Sequence, residues 1–378
     1  MSAPFFELQA VDPTGARAGV LHTEHGDVPT PVFMPVGTQG AVKTATAEQL
    51  ESIGARLILA NTYHLYLRPG AARVEAAGGV HGLAAWRGAL LTDSGGYQFF
   101  SLKSLNTVSE EGVSFRSHLD GSRHALTPEQ VIDVQAALGA DLVMPLDECM
   151  PYPSTFEDAE RSTARTTRWA RRCRDHRGPV FQHHAHAQRL FGIVQGASYP
   201  ALRRRSVDEI AALDLPGHAI GGLAVGEPKT EMLDLTALCA ELLPADKPRY
   251  LMGVGFPEDL LRCVARGVDM FDCVMPTRNA RKGTLFTRAG RLVVKNAAYA
   301  DDQAPPDDAC ACPTCRRHSR AYLRHLIQVG EPTGMTLATL HNLYFYLDLM
   351  RGAREAILAG NYAAYLRDFF DGYAMATD

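Results

Sequence analysis

The sequence predicts an α/β chain built on a closed (β/α)8 barrel of the TIM type, and three observations carry that expectation. Short apolar runs recur in order: PVFMPVG, LILANTYHL, ALLTDSGG, DLVMPLDE, FGIVQG, AIGGLAVG, RYLMGVG and MFDCVMP. Helical stretches separate them, the pattern of a parallel sheet buried on both faces. An open doubly wound sheet calls for a glycine-rich dinucleotide turn after its first strand, and PVGTQGAVKT does not fit G-x-G-x-x-G. The closed barrel is the better reading.

Each element has a local reason. FFELQAVDPTGARAGVLHTEHGDVPTP reads as a β-hairpin with DPTG as its turn, covering the bottom of the barrel. The helix–glycine–strand plan then appears in TAEQLESIGARLILANTYHL, TPEQVIDVQAALGADLVMPLDE and FPEDLLRCVARGVDMFDCVMP. Thr46 with Gln49, and Thr127 with Gln130, have the spacing of a capping box. Pro128 sits at a first turn, and Gly54, Gly139 and Gly267 stand where a glycine ends a helix. Two stretches read as insertions: SLKSLNTVSEEGVSFRSHLDGSRHAL, with strand-like alternation around VSFRSHL, and the polar connection HHAHAQ, read as a surface loop. Near Asp301 the composition shifts to DDQAPPDDACACPTC and then to helices. Residues 1–300 are therefore expected to form the barrel with its N-terminal hairpin. Residues 301–378 form a zinc-binding subdomain and C-terminal helices completing the barrel.

At 378 residues, 46% hydrophobic and 21% charged, the chain has the composition of a soluble globular enzyme. No apolar run approaches the roughly 20 residues of a membrane span, and MSAPFFELQAVDPTG has no signal-peptide layout, so a cytoplasmic location is expected. The net charge of −4 leaves any phosphate contact to a local patch. RSTARTTRWARRCRDHR reads as a helix with a solvated basic face. TRNARKG, directly after an apolar strand, carries Arg278, Arg281 and Lys282 in a short loop and is the stronger candidate.

The cysteines divide in two. Cys149, Cys173, Cys239, Cys263 and Cys273 are scattered, as in a reducing compartment, whereas Cys310, Cys312 and Cys315 form C-x-C-x2-C. Three clustered thiols in a reduced protein imply a metal. His341 is the best fourth ligand, with His318 and His325 as competitors. Three cysteines and a histidine leave no open position, so a bound zinc would be structural and not catalytic.

Strand ends carry the chemistry. Parallel barrels open every C-terminal strand end onto one face. Asp93 ends the third run and is followed by Ser94, Gly95, Gly96 and Tyr97; Asp147 ends the fourth and is followed by Glu148 and Cys149. The fifth ends in Gln195–Gly196, the sixth in Gly221, Gly222, Leu223, Ala224 and Val225, the seventh in Met252–Gly253, and the eighth in Asp272. An amide, a carboxylate and free backbone N–H groups around an aromatic floor can read the edge of a purine. Two further carboxylates can perform glycosyl chemistry, one as nucleophile and one as acid/base. A lone aspartate is as readily a helix cap or an ion-pair partner; three on strand ends are harder to explain that way.

DSGGYQ, DEC with MPYP, FGIVQG, GGLAVGE, YLMGVG, MFDCVMPTRNARKG and C-x-C-x2-C with a later histidine resemble bacterial tRNA-guanine transglycosylase, the queuine tRNA-ribosyltransferase family, from about residue 5 to the C-terminus. The resemblance implies an irregular (β/α)8 barrel exchanging guanine at the anticodon wobble position for a 7-deazaguanine. It implies Asp272 as nucleophile on ribose C1′, forming a covalent ribosyl-enzyme, and Asp93 as general acid/base. It makes Asp147, Gln195 and the Gly222 amide readers of the base edge, with Tyr97 and Met252 sandwiching the ring. It places Cys310, Cys312, Cys315 and His341 on one structural Zn2+. It assigns RNA contact and wobble-base recognition to Gly253, Val254, Gly255, Phe256, Pro257, Glu258 and Asp259, and to Thr277, Arg278, Asn279, Ala280 and Arg281. Cys149 and Val225 imply a pocket for small 7-substituents, hence preQ1 as incoming base and guanine as leaving base. GUN-anticodon tRNA and a homodimer, with no membrane, complete what it implies. The departures are small: Ala197 where glycine is commoner, and Lys282 in ARKG.

The physics agrees. A base must be flipped out of a loop to reach a barrel mouth, and exchange conserves the energy of the glycosidic bond, so no ATP or redox cofactor is needed. A glycosidase acting on free sugars predicts tryptophans at the pocket, yet Trp86 and Trp169 lie on no strand end. A non-catalytic RNA-binding subunit would lack Asp93 or Asp272. A bare zinc module leaves the strand ends unexplained.

Overall fold

The computed structural model describes residues 4–96 and 106–373. The chain begins with β1 (Phe6–Val11), β2 (Arg17–Thr23) and β3 (Gly26–Thr30), an antiparallel sheet. DPTG makes the first turn because the Asp12 carboxylate accepts from Thr14 N at 2.9 Å and Thr14 Oγ1 at 2.7 Å. The expected hairpin is thus part of a larger unit. A second tight turn, with Gly26 at φ 107°, adds the third strand. Phe6, Leu21 and Val28 pack with Leu142, Phe191 and Met270, which begin or lie near the start of barrel strands. The sheet therefore closes the barrel's N-terminal end.

Strands β4 (Val32–Met34), β5 (Leu57–Asn61) and β6 (Ala89–Asp93) open the barrel. The first insertion folds as the antiparallel sheet β7 (Asn106–Val108), β8 (Val113–Arg116) and β9 (Arg123–Leu126), in line with its alternation. Then come β10 (Leu142–Val143), β11 (Val180–His183), β12 (His186–Val194), β13 (Gly217–Ile220), β14 (Arg249–Leu251) and β15 (Met270–Asp272). The spatial order β4-β15-β14-β13-β12-β10-β6-β5 is parallel throughout, and a parallel bridge between Val36 and Leu59 closes the ring. All eight apolar runs are barrel strands. A hairpin of β16 (Thr284–Thr287) and β17 (Gly290–Val293) follows.

Local chemistry sets the helices. Thr46 and Thr127 each form a complete capping box, Pro128 stands at the first turn, and Gly139 ends its helix at φ 74°. The 27-residue helix Pro332–Leu358 lies against β4, the N-terminal sheet and β16. Its Tyr346 ring lies 4.7 Å from that of Phe33, tilted by 54°, and its hydroxyl donates to Gly255 O. A segment far along the chain thereby props the loop after β14.

Two expectations need correction. HHAHAQ is not a surface loop: β11 and β12 pair antiparallel around His184–Ala185, both at positive φ, so the histidines sit on a hairpin and His186 is buried. The basic helix Phe156–Arg177 is not simply solvated, because its arginines meet acids. Arg165 reaches Glu148 at 2.6 Å, Arg172 reaches Glu129 at 2.7 Å, and Arg177 reaches Asp133 at 2.7 Å. Paired guanidinia have less left to offer a phosphate. Among the described residues no helix is long and apolar enough to cross a membrane.

Candidate active site

The C-terminal strand ends converge on one cavity of about 430 Å³. Asp93, Ser94 and Gly96 line it from β6, Asp147 and Cys149 from the segment after β10, Gly222, Leu223 and Val225 from the loop after β13, Met252 and Gly253 from β14, and Asp272 from β15. Gln195 lies behind Asp147 and Gly95 shapes the turn at φ 89°, while Tyr97 lies outside the described residues.

Register explains who meets whom. Parallel pairing of β5 with β6 sets Asn61 beside Asp93. The Asn61 amide donates to Asp93 Oδ2 at 2.7 Å, and Thr62 N donates to Oδ1 at 3.3 Å. Burial nevertheless dominates and pushes the Asp93 carboxyl up to about 7, with the nearby Asp272 charge adding to the rise. A carboxyl poised there can give and take a proton at neutral pH.

Asp272 is held differently. Tyr250 OH donates to its Oδ1 at 2.6 Å and Gly253 N at 2.9 Å. Burial raises its carboxyl, and these two donors oppose the rise by favouring the charged form. Burial also raises Tyr250 well above the ordinary phenol, so it keeps its proton and remains a donor. Two carboxyls in one cavity thus differ in support, as an acid/base and a nucleophile must.

Asp147 is buried, accepts from Gln195 Nε2 at 2.8 Å and from Ser94 Oγ at 3.4 Å, and is pushed up to about 6, chiefly by burial. Gly96 must be glycine here, since a Cβ would overlap Asp147 Oδ1. Below the floor Arg203 is fully buried and donates to Ala197 O at 2.9 Å, Gly221 O at 2.7 Å and Gly222 O at 3.0 Å. It locks the turns after β12 and β13 together, and burial pulls its guanidinium down. Ala197 itself takes φ 46°, which is why glycine suits that position.

Sequence reasoning missed Asn61, Tyr250 and Arg203. Asn61 left a signal as the polar last residue of LILAN, and Tyr250 as the inward residue of RYL. Arg203 left none, because nothing local marks a helix arginine that turns inward.

The RNA-contact candidates divide. Arg278 is exposed at the cavity mouth and Gly253 is exposed beside it, whereas Val254, Gly255, Pro257, Glu258, Asp259, Thr277 and Ala280 are buried. Glu258 and Asp259 sit under Lys229 at 3.4 and 3.2 Å, and Lys229 Nζ stands 4.5 Å from the Phe256 ring centroid. TRNAR is not a loop but part of the helix Met275–Arg281, begun by a proline in its first turn, with Asn279 and Arg281 half-buried.

In the C-terminal region the Cys310, Cys312 and Cys315 sulfurs lie 3.8, 3.5 and 3.2 Å from His341 Nδ1. A tetrahedral zinc with bonds of about 2.3 Å to sulfur and 2.0–2.1 Å to nitrogen separates such atoms by ~3.6 Å, so the four residues fit the ion. His341 Nε2 donates to Phe286 O at 2.8 Å, which leaves Nδ1 free to ligate. His318 and His325 are not in the group.

Comparison with known proteins shows the family. The family model for queuine tRNA-ribosyltransferase matches residues 12–375. A protein named queuine tRNA-ribosyltransferase from Nitratidesulfovibrio vulgaris is 55% identical over 364 residues, 96% of each chain. One of the same name from Pelotomaculum thermopropionicum is 55% identical over 373 residues, 99% of each chain, and one from Thermoanaerobacter pseudethanolicus is 53% identical over 360 residues, 95% of each. With its strand-end carboxyls gathered in one cavity and a match over nearly its whole length, the chain belongs to the queuine tRNA-ribosyltransferase family, pentosyltransferases that act on tRNA.

Proposed function

We propose that the protein exchanges guanine 34 of GUN-anticodon tRNAs for preQ1 by double displacement through a covalent ribosyl-aspartate. Asp272 attacks ribose C1′ as the bond to guanine breaks, and Asp93 protonates the departing base. The incoming base then loses a proton to Asp93 and attacks C1′, releasing Asp272. Atoms balance without any further reactant. The observation that supports this reading is one cavity lined by both Asp93 and Asp272, with Asp147 alongside.

Asp147, Gln195 and the Gly222 N–H hold the base edge, and Met252 with Tyr97 covers its faces. Arg278 at the mouth and the surface of the Gly253–Asp259 and Thr277–Arg281 segments meet the anticodon loop. Glu258 and Asp259 act there by anchoring Lys229 beneath Phe256. Cys149 and Val225 border the cavity, where they face the aminomethyl group of the incoming base. One zinc on Cys310, Cys312, Cys315 and His341 cross-links the subdomain that begins near residue 301, and a homodimer presents the tRNA. The enzyme works in the cytoplasm, where its substrates are.

Incubation with tRNA and labelled guanine tests the chemistry. Asp272→Asn should abolish incorporation, and unaltered exchange in that variant would reject the nucleophile. Val225→Gly should admit bulkier 7-substituents; an unchanged preference would reject the base assignment.

A further inference from the structure

A second cluster of ligating side chains lies at the other end of the barrel. His25 sits in the turn between β2 and β3, His81 on the helix Gly79–Ala84, Asp141 directly before β10, and His186 at the start of β12. His25 Nδ1 is 2.7 Å from Asp141 Oδ1, and His81 Nε2 is 3.6 Å from Asp141 Oδ2. One ligand atom from each of His25, His81 and Asp141 lies within 4.8 Å of the others. The His25 and His81 rings stack with centroids 3.7 Å apart, and His186 stands across them at 4.8 and 6.0 Å. Those three separations make a nearly right-angled triangle, so His186 lies beside the stacked pair and not above it.

The polar atoms are incompletely matched. Asp141 is wholly buried and also accepts Leu90 N at 2.8 Å. His81 Nε2 is 3.0 Å from Gly88 O. His186 is 8% exposed; its Nδ1 lies 3.3 Å from His184 O, and its Nε2 is buried with no partner among the described residues. A buried ring nitrogen left without a partner is uncommon and points to something that it binds. Two imidazoles grouped with one carboxylate, and a third imidazole beside them, are the donor set of a borderline divalent cation such as Zn2+, Co2+ or Ni2+.

We propose that His25, His81 and Asp141 bind a divalent transition-metal ion, with His186 turning in as the fourth ligand from its place 4.8 Å from the His25 ring. The bound ion ties the N-terminal sheet, the helix Gly79–Ala84, the start of β10 and the β11–β12 hairpin together. The ion replaces the proton that His25 and Asp141 share. Nitrogen and oxygen ligands at about 2.1 Å in a tetrahedron stand ~3.4 Å apart. His81 and His25 meet different Asp141 oxygens, Oδ2 at 3.6 Å and Oδ1 at 2.7 Å, so the carboxylate takes the ion through both. The His25–Asp141 contact opens by under about 1 Å, and His81 gives up Gly88 O. Access is through a cleft of about 260 Å³ that His25 lines together with Asp27 and Glu51.

Glu75, His183 and His184 form a neighbouring, more exposed group. His183 Nε2 meets Glu75 at 2.8 Å and His184 Nε2 meets Ala137 O at 2.9 Å, so both nitrogens are already engaged. It is the competing site. Equilibrium dialysis of the full-length protein against Co2+ at neutral pH, with metal counted per chain, separates the two. The wild type should hold a second equivalent beyond the thiolate-bound one, without a thiolate-to-cobalt absorption band, and should melt higher with it. His25→Gln, in a partly exposed turn, should weaken that equivalent at least ~10-fold while the thiolate site and base exchange stay intact; His186→Gln should do the same. His183→Gln should leave it in place. A single equivalent in the wild type would overturn the proposal. So would a second equivalent that survives His25→Gln, or one that disappears with His183→Gln.

Discussion

Replacing Asp93 with asparagine should remove catalysis and at the same time stabilise the fold in a pH-dependent way. The folded carboxyl is raised from 3.8 to about 7, mainly by burial. Those ~3 units correspond to about 4 kcal/mol at 1.36 kcal/mol per unit, an upper bound because the group faces an open cavity. Asparagine keeps one acceptor oxygen in place of two, so either the Asn61 amide or Thr62 N loses its partner, at about 1 kcal/mol. The net gain is therefore about 2–3 kcal/mol. Its pH dependence follows from linkage. Well below pH 4 the wild-type group is neutral in both folded and unfolded chains, and burial of charge costs nothing. As pH rises from 4 towards 7, the unfolded chain ionises first and the wild type loses stability relative to the variant. Above 7 the difference is constant. Urea midpoints of both proteins from pH 4 to pH 8.5 would read this directly. A variant no more stable than the wild type at pH 8, or an advantage that does not grow with pH, would refute the account of the buried carboxyl.

Three further outcomes follow from the same site. Tyr250→Phe removes one of two donors that hold the Asp272 carboxyl down against burial, so that carboxyl should rise further. The acid limb of the kcat/KM profile should move up accordingly, and an unmoved limb would contradict the contact's role. Gly96→Ala places a methyl on Asp147 Oδ1 and against the Asp147 carbonyl oxygen, and should raise KM for the free base at least ~10-fold and lower stability by about 1–3 kcal/mol, as measured by guanine-exchange kinetics and urea denaturation. Cys312→Ser should abolish metal binding at the thiol cluster, measured by metal analysis, and lower the urea midpoint through the packing of Pro332–Leu358, while the barrel's circular dichroism persists.

Much of the barrel was legible in the residues because its signals are local. Continuous apolar runs mark strands buried on both faces, a capping threonine with glutamine three residues on marks a helix start, and glycine at positive φ marks its end; none of these needs a distant partner. The thiol cluster was legible for the same reason, since its spacing alone brings three sulfurs to one point. Tertiary contact decided the rest. Only the β5–β6 register set Asn61 against Asp93, and only the fold turned Arg203 inward to hold Gly222. The fold, too, brought His341 to the thiols as its place on a downstream helix implied, and gathered His25 and His81 around Asp141, with His186 beside them, from four separate segments. Hydrogen bonds and ring contacts between separate elements, from about twenty to more than a hundred positions apart, leave no period in the chain to read.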